Sequence, residues 1–195
     1  QIIHADKLDQ LLPGCHHQGI AVQCRPLPTY TENDIPALIE KNTYQRWLIL
    51  DGVQDPHNLG ACLRSADGAG VTGVIIPKDR ATGITPVVRK VASGAAEMLP
   101  LVIATNLARA IEKLQDGGVF VVGLAGETSK NFFELDLRGP IALILGSEEK
   151  GMRRLTREKC DVIAALPMKG SVNSLNVSVA TCVCLYEIIR QNSKF

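Results

Sequence analysis

The chain has 195 residues, enough for one solid domain and a fragment of a second. Hydrophobic residues make up 46% of it, which supports a full core, yet no apolar run approaches the roughly 20 residues that cross a bilayer, so a cytoplasmic protein without a membrane span is expected. A net charge of +1 gives no general attraction for nucleic acid, since a dedicated phosphate binder is strongly basic.

The chain opens at Gln1 without methionine and is soon in apolar text, which reads as a truncated or processed start. Residues 6–12 read as a helical piece and GIAVQC at 19–24 as a strand. Pro26, Pro28, Thr29 and Thr31 punctuate a linker. Residues 34–41 form the next helix, with Asn33 or Asp34 as its cap and Pro36 in its first turn. From there short β-branched apolar runs, at 47–50, 73–77, 101–104, 119–124, 141–145 and 162–166, alternate with helical stretches at 59–69, 86–96, 107–115 and 152–158. Continuous apolar strands separated by helices predict an α/β fold, a parallel sheet covered on both faces. The last helix, 175–191, is apolar on more than one side. Leu175, Val179, Val183, Tyr186 and Ile189 are expected to face the sheet, leaving Val177, Cys184 and Ile188 for another surface, as in a helix that is deeply buried or part of an interface.

Six cysteines, at 15, 24, 62, 160, 182 and 184, contain no CxxC pair, and His4, His16, His17 and His57 are scattered. No metal site is expected, and the cysteines read as reduced, mostly buried thiols. The basic residues Lys150, Arg153, Arg154, Arg157 and Lys159 read first as a solvated helix face. Their functional alternative is weak, salt-sensitive contact with RNA phosphates.

Three strand ends carry the chemistry-bearing loops. After the run ending at Leu166, a polar loop supplies Ser171, Asn173, Ser174, Asn176 and Ser178 before helical periodicity resumes at Leu175. That is more hydrogen-bonding capacity than one helix cap requires, and it points to a polar ligand; for Ser174 alone a cap is an equal alternative. The loops at 123–127 and 146–151 add glycines that let a backbone approach a ligand closely. Ligands of open α/β sheets bind where such strand-end loops meet. GLAGE lacks the GxGxxG of a dinucleotide site and GSEEKGM lacks the GKS or GKT of a P-loop, so neither nucleotide class is supported.

DPHNLGACLRSADGAGV (55–71), ILGSEEKGM (144–152) and PMKGSVNSLNVSVAT (167–181) resemble, in order, the three signatures of the SpoU (TrmH) RNA 2'-O-ribose methyltransferases. Within that family, DGVQDPHNLGACLRSADGAGV and GMRRLTREKCD look most like the bacterial members that methylate a guanosine ribose in 23S ribosomal RNA. The resemblance implies a SPOUT-type domain with a C-terminal trefoil knot over residues 44–195, preceded by a linker and short helix at 26–43. Residues 1–25 would be the remnant of an N-terminal, L30e-like RNA-binding domain, most of it missing, with His17, Gln18 and Gly19 matching its closing HQG. It implies S-adenosyl-L-methionine in a site lined by Gly146, Leu166 and Leu175, with Leu124, Ala125, Gly126, Ile144 and Met168 nearby. It implies a homodimer, and functional roles for Asn58, Arg64, Glu148, Ser174 and Asn176. The family account makes the arginine a base, but a guanidinium scarcely deprotonates. Arg64 is read instead as stabilising the developing alkoxide, with the proton leaving to a substrate phosphate or water. The alternatives are a transfer RNA substrate, or a catalytically inactive RNA-binding or ribosome-assembly protein on the same fold.

Overall fold

Apolar residues alternate between two cores along each strand, and that period of two organises the molecule. The computed structural model describes residues 2–14, 17–22 and 28–192. Its strands are β1 (Tyr30–Thr31), β2 (Arg46–Asp51), β3 (Gly73–Pro77), β4 (Leu101–Ala104), β5 (Phe120–Leu124), β6 (Ile141–Gly146) and β7 (Val162–Ala164). They form one sheet in the order β1-β4-β3-β2-β6-β5-β7, with every pairing parallel. The helices are α1 (Ala5–Leu11), α2 (Ile35–Glu40), α3 (Pro56–Gly68), α4 (Pro86–Ala92), α5 (Ala95–Met98), α6 (Leu107–Asp116), α7 (Arg154–Glu158) and α8 (Val177–Asn192).

Trp47 and Ile49 of β2 enter one core with Ile75, Val102, Val121 and Ile144, closed by Ile35 and Leu38 of α2 and Leu107, Ile111 and Leu114 of α6. Leu48 and Leu50 enter the other with Val74, Val122, Leu143 and Leu145, closed by α3, α4, α5 and α8. Both faces are therefore covered, as continuous apolar runs require.

The final helix reverses most of the expected faces, although Ile189 packs against the core as expected. Val177, Ala180, Cys184, Leu185 and Ile188 are buried, whereas Val179 and Tyr186 are about half exposed and Leu175 lies ahead of the helix. The helix packs along α3, where Thr181 Oγ1 meets Cys62 Sγ at 3.5 Å, as well as on the sheet. The stretch 86–96 divides because Ser93 and Gly94 both take left-handed backbone, ending α4 and starting α5. Asp34 stands at the N-cap of α2, as expected, but its side chain does not cap that helix: its carboxylate accepts from Thr31 N at 2.7 Å, while Thr31 accepts from Asn33 N and caps a 3-10 turn at Glu32–Asp34 just ahead. The sheet also starts earlier than expected, since Tyr30 and Thr31 pair with Val102 and Ile103. Residues 19–22 form no strand, and the rest of GIAVQC lies outside the described residues.

Of the four cysteines within the described residues, Cys62 and Cys184 are buried. Burial pushes the thiols of Cys62 up to about 11 and Cys160 up to about 12, and raises Cys184 as well, so they are neutral at physiological pH. Cys15 and Cys24 lie outside the described residues.

Gly60 is where α3 and α4 cross. A Cβ there would stand 2.7 Å from Val91 Cβ and 2.9 Å from the Val88 carbonyl oxygen, so the helices approach only because no side chain intervenes. Gly60→Ala is expected to cost about 1–3 kcal/mol of stability through overpacking, read as a lower urea midpoint with an unchanged slope.

Candidate active site

Strands β2, β3 and β4 step outward in one direction, while β6, β5 and β7 occupy the other half of the sheet. The winding therefore switches between β2 and β6, and their carboxyl ends leave a crevice of the kind that receives ligands in open α/β sheets. Asp51, the last residue of β2, is in register with Gly146, the last of β6.

From β2 the chain enters α3 through Asp55, whose Oδ1 accepts from His57 N at 2.9 Å, with Pro56 preset for the first turn. This start delivers Asn58 to the crevice. From β6 the chain makes a closed ring: Gly151 N donates to Ser147 O at 2.9 Å and Ser147 N to Gly151 O at 3.2 Å. Only glycine fits at 146, because a Cβ would lie 2.0 Å from the Gly151 carbonyl carbon. Glu148 rides on the ring. The third segment, after β7, ends at Asn176, whose Oδ1 accepts from Ser178 N at 2.9 Å and from Ser178 Oγ at 2.6 Å. Asn176, rather than Ser174, thus satisfies an N–H group at the start of α8.

These segments converge through side chains. Asn58 Nδ2 donates to Glu148 Oε1, and Asn176 Nδ2 donates to Asn58 Oδ1 at 2.9 Å. One hydrogen-bonded chain, Glu148–Asn58–Asn176, ties together residues separated by 90 and 118 positions in sequence.

Beside this chain is a cleft of about 620 Å³, walled by 124–127, 145–152, Leu166, Met168 and 173–177. Its size falls within the usual small-molecule range. Leu124, Leu145, Leu166 and Leu175 give it apolar surface for a planar ring, while glycine-bearing loops expose backbone groups. Glu148 and Glu149 place negative charge at the rim, which suits a cationic ligand. Glu127, also on the wall, is held below the usual carboxylate range by its own backbone N–H and then by Arg157, which donates to it at 2.6 Å.

The structure brings most of the expected residues together. Gly146, Leu166, Leu175, Leu124, Ala125, Gly126 and Met168 all line the cleft, as do Glu148, Ser174 and Asn176. Ile144 does not: strand alternation turns it into the opposite core, and Leu145 takes its place. Arg64 is exposed and outside the cleft wall. Six residues after Asn58, it points about 120° away around α3 at ~100° per residue.

The basic cluster is largely committed within the chain. Arg154 pairs with Glu158, Arg157 with Glu127 and Lys159 with Glu112, each at 2.6 Å, and Arg153 pairs with Asp51. Among the described residues, only Lys150 of that group lacks an ion pair, which favours the reading of a structural helix face. Asp51 was not singled out from sequence. Its signal was a carboxylate at the end of an otherwise apolar strand, LILDG, where burial is costly without a partner. Among the described residues no three His, Cys, Asp or Glu side chains are grouped to hold a metal ion, and no helix is long and apolar enough to cross a membrane.

Residues 45–186 match the SpoU rRNA Methylase family. The chain belongs to that family. Its relatives include the 23S rRNA (guanosine-2'-O-)-methyltransferase RlmB of Pseudomonas aeruginosa, 56% identical over 96% of this chain and 75% of that one. The protein of the same name from Escherichia coli is 51% identical over 99% of this chain and 79% of its own length. Among solved structures, the SpoU methyltransferase AviRb from Streptomyces viridochromogenes in complex with AdoMet superposes with a TM-score of 0.70 at 28% identity, covering 74% of this chain and 57% of that one. The A. aeolicus TrmH/SpoU tRNA modifying enzyme gives 0.69 at 26%, over 82% of this chain and 81% of its own.

In this SpoU chain Glu148 only accepts from Asn58, so a neutral amide that presents the same oxygen can replace it. Glu148→Ala is expected to lower methyl transfer about tenfold or more, with Glu148→Gln recovering most of the rate, as measured by turnover at saturating cofactor.

Proposed function

We propose that the chain is an S-adenosylmethionine-dependent 2'-O-methyltransferase acting on a guanosine ribose of 23S ribosomal RNA, in the cytoplasm. The observation that carries this reading is the convergence of Asn58, Glu148 and Asn176 beside the cleft at the β2–β6 switch point, in a chain whose relatives bear that activity in their names. When bound, the cofactor supplies a methyl group on a sulfonium, an electrophile needing no metal.

Bound in the cleft, the cofactor would supply the methyl carbon to the ribose 2'-oxygen with the sulfur leaving as a neutral thioether, and the hydroxyl proton would pass to water or a substrate phosphate. In this reading the backbone of 124–126 and 146–151 holds the adenosine, and Leu166, Met168 and Leu175 exclude water from the reacting carbon. Asn58, fixed by Glu148 and Asn176, orients the ribose. Ser174, on the same wall, hydrogen-bonds the substrate. Arg64 stabilises the alkoxide, and its place outside the cleft means that bound RNA or a second copy must bring the reacting ribose to it.

A homodimer supplies that closure. Val179 and Tyr186 leave an apolar stripe on the outer side of α8, next to α3, and Val172 and Leu175 on the preceding loop are also exposed. The same reading threads the C-terminal segment as a trefoil knot. It makes residues 1–25 the end of an RNA-binding domain, with the catalytic unit reaching back to the strand at Tyr30.

The test is transfer of radiolabelled methyl from S-adenosylmethionine to total ribosomal RNA, followed by mapping of the modified ribose. Label on a 23S guanosine 2'-oxygen is expected; label only on transfer RNA, or none, overturns the assignment. In the same assay Arg64→Ala is expected to abolish transfer while cofactor affinity by calorimetry stays within about twofold of wild type. Light scattering at micromolar concentration is expected to give twice the 21.0 kDa chain mass, and Val179→Glu with Tyr186→Glu to return it to a monomer.

A further inference from the structure

The ring that carries Glu148 has two ends, and one residue holds both. At its start, Gly146 is held by the β2–β6 ladder, where its register partner is Asp51. At its finish, Arg153 is held by the side chain of the same Asp51: Oδ2 accepts from Arg153 N at 2.8 Å and Oδ1 from Arg153 Nε at 2.6 Å. The carboxylate is fully buried. A buried charge is costly even when paired, and an apolar or amide side chain would end β2 more cheaply. What the charge adds here is two directed, charge-assisted bonds to consecutive parts of one residue, which leave the ring's exit a single position.

Asp51 also begins the segment that leads to Asn58, seven residues on. The partner of Asn58, Glu148, lies on the ring between the two clamped ends. The separation between Asn58 and Glu148 is therefore set by short connections from the same anchor. Inside the ring, Lys150 N donates to Ser147 Oγ at 3.3 Å and Gly151 N to Ser147 O at 2.9 Å, so displacement of the exit moves the cofactor wall as a unit.

We propose that Asp51, acting through Arg153, is a positioning residue for methyl transfer: it clamps the 146–153 ring so that the cofactor wall and Glu148 stand in register with Asn58. The proposal rests on the reading of the cleft as the S-adenosylmethionine site. It also assigns Arg153 to the catalytic architecture rather than to an RNA-binding surface.

Asp161 provides a control of the same chemistry at the other end of the sheet, where its Oδ2 accepts from Val121 N at 2.7 Å and its Oδ1 from Gln115 at 3.0 Å. Amide hydrogen exchange of the full chain without cofactor, S-adenosylmethionine affinity and single-turnover methylation are compared for wild type, Asp51→Asn, Arg153→Ala, Arg153→Lys and Asp161→Asn. In Asp51→Asn the amides of Ser147, Gly151 and Arg153 are expected to exchange about tenfold faster, with Val121 unchanged, cofactor affinity down by about tenfold and turnover down by more than that. Arg153→Ala follows in the same direction, and Arg153→Lys recovers part of the loss by restoring one charged donor. Asp161→Asn speeds exchange at Val121 and leaves the ring, the affinity and the turnover as in wild type. Ring exchange at wild-type rates in Asp51→Asn overturns the proposal. Faster ring exchange with undiminished affinity and turnover overturns it equally. Should the wild-type chain not bind S-adenosylmethionine, the reading of the cleft fails, and the exchange rates alone decide whether the clamp exists.

Discussion

The adjacency of β2 and β6 is the constraint on which the site depends. Parallel strands all present their carboxyl ends to one edge of the sheet, and helices must cross over to return the chain. Where the winding changes direction, the two strands send their following segments to different places, and nothing fills the edge between them. In this molecule that edge receives Asn58 from the segment after β2 and Glu148 from the segment after β6. The third contributor, Asn176, arrives after a strand at the sheet's far edge, and the packing of α8 along α3 together with its hydrogen bond to Asn58 brings it into the same constellation.

Electrostatics bears on RNA binding in a way that net charge alone conceals. The basic residues after the ring are already paired: Arg157 with Glu127 and Lys159 with Glu112 tie α7 to its neighbours, and Arg154 with Glu158 spans one turn within α7. Exposed pairs of this kind are worth ~0–1 kcal/mol each, so a phosphate can compete for any one of them. It must, however, expose a carboxylate in doing so, which reduces the gain. Among the described residues Arg64 has no ion pair, and it is exposed, so an approaching phosphate displaces no carboxylate from it there.

The parallel α/β architecture was legible because it is written in local pattern: apolar runs of strand length, β-branched, separated by stretches with helical period. The cleft wall was legible through the resemblance to the family's three signatures, and Gly146, Leu166 and Leu175 all lie on it. Three things were hidden for physical reasons. Tyr30–Thr31 is too short to show a period, and becomes a strand only because β4 offers an unpaired edge. The buried face of α8 is set by its packing on α3 and on the sheet together, and no one-helix pattern contains that information. Asp51 was passed over because a lone carboxylate at a strand end has no local partner; its partner, Arg153, lies 102 residues away. The placement of Arg64 away from Asn58 follows from helical geometry, but its meaning depends on what else approaches α3.

Asn176 couples the remaining parts. By accepting from Ser178 it starts α8, and by donating to Asn58 it fixes the reactive end of α3, so neither helix can shift without disturbing the other. The first buried residues of α8, Val177 and Ala180, are at once part of the core and part of the cleft wall. The outer side of the same helix carries the half-exposed Val179 and Tyr186. A helix is stiff over this length, because each turn is hydrogen-bonded to the next. A partner seated on the outer side of α8 would therefore act on the same rigid body that bounds the cleft and holds Asn58.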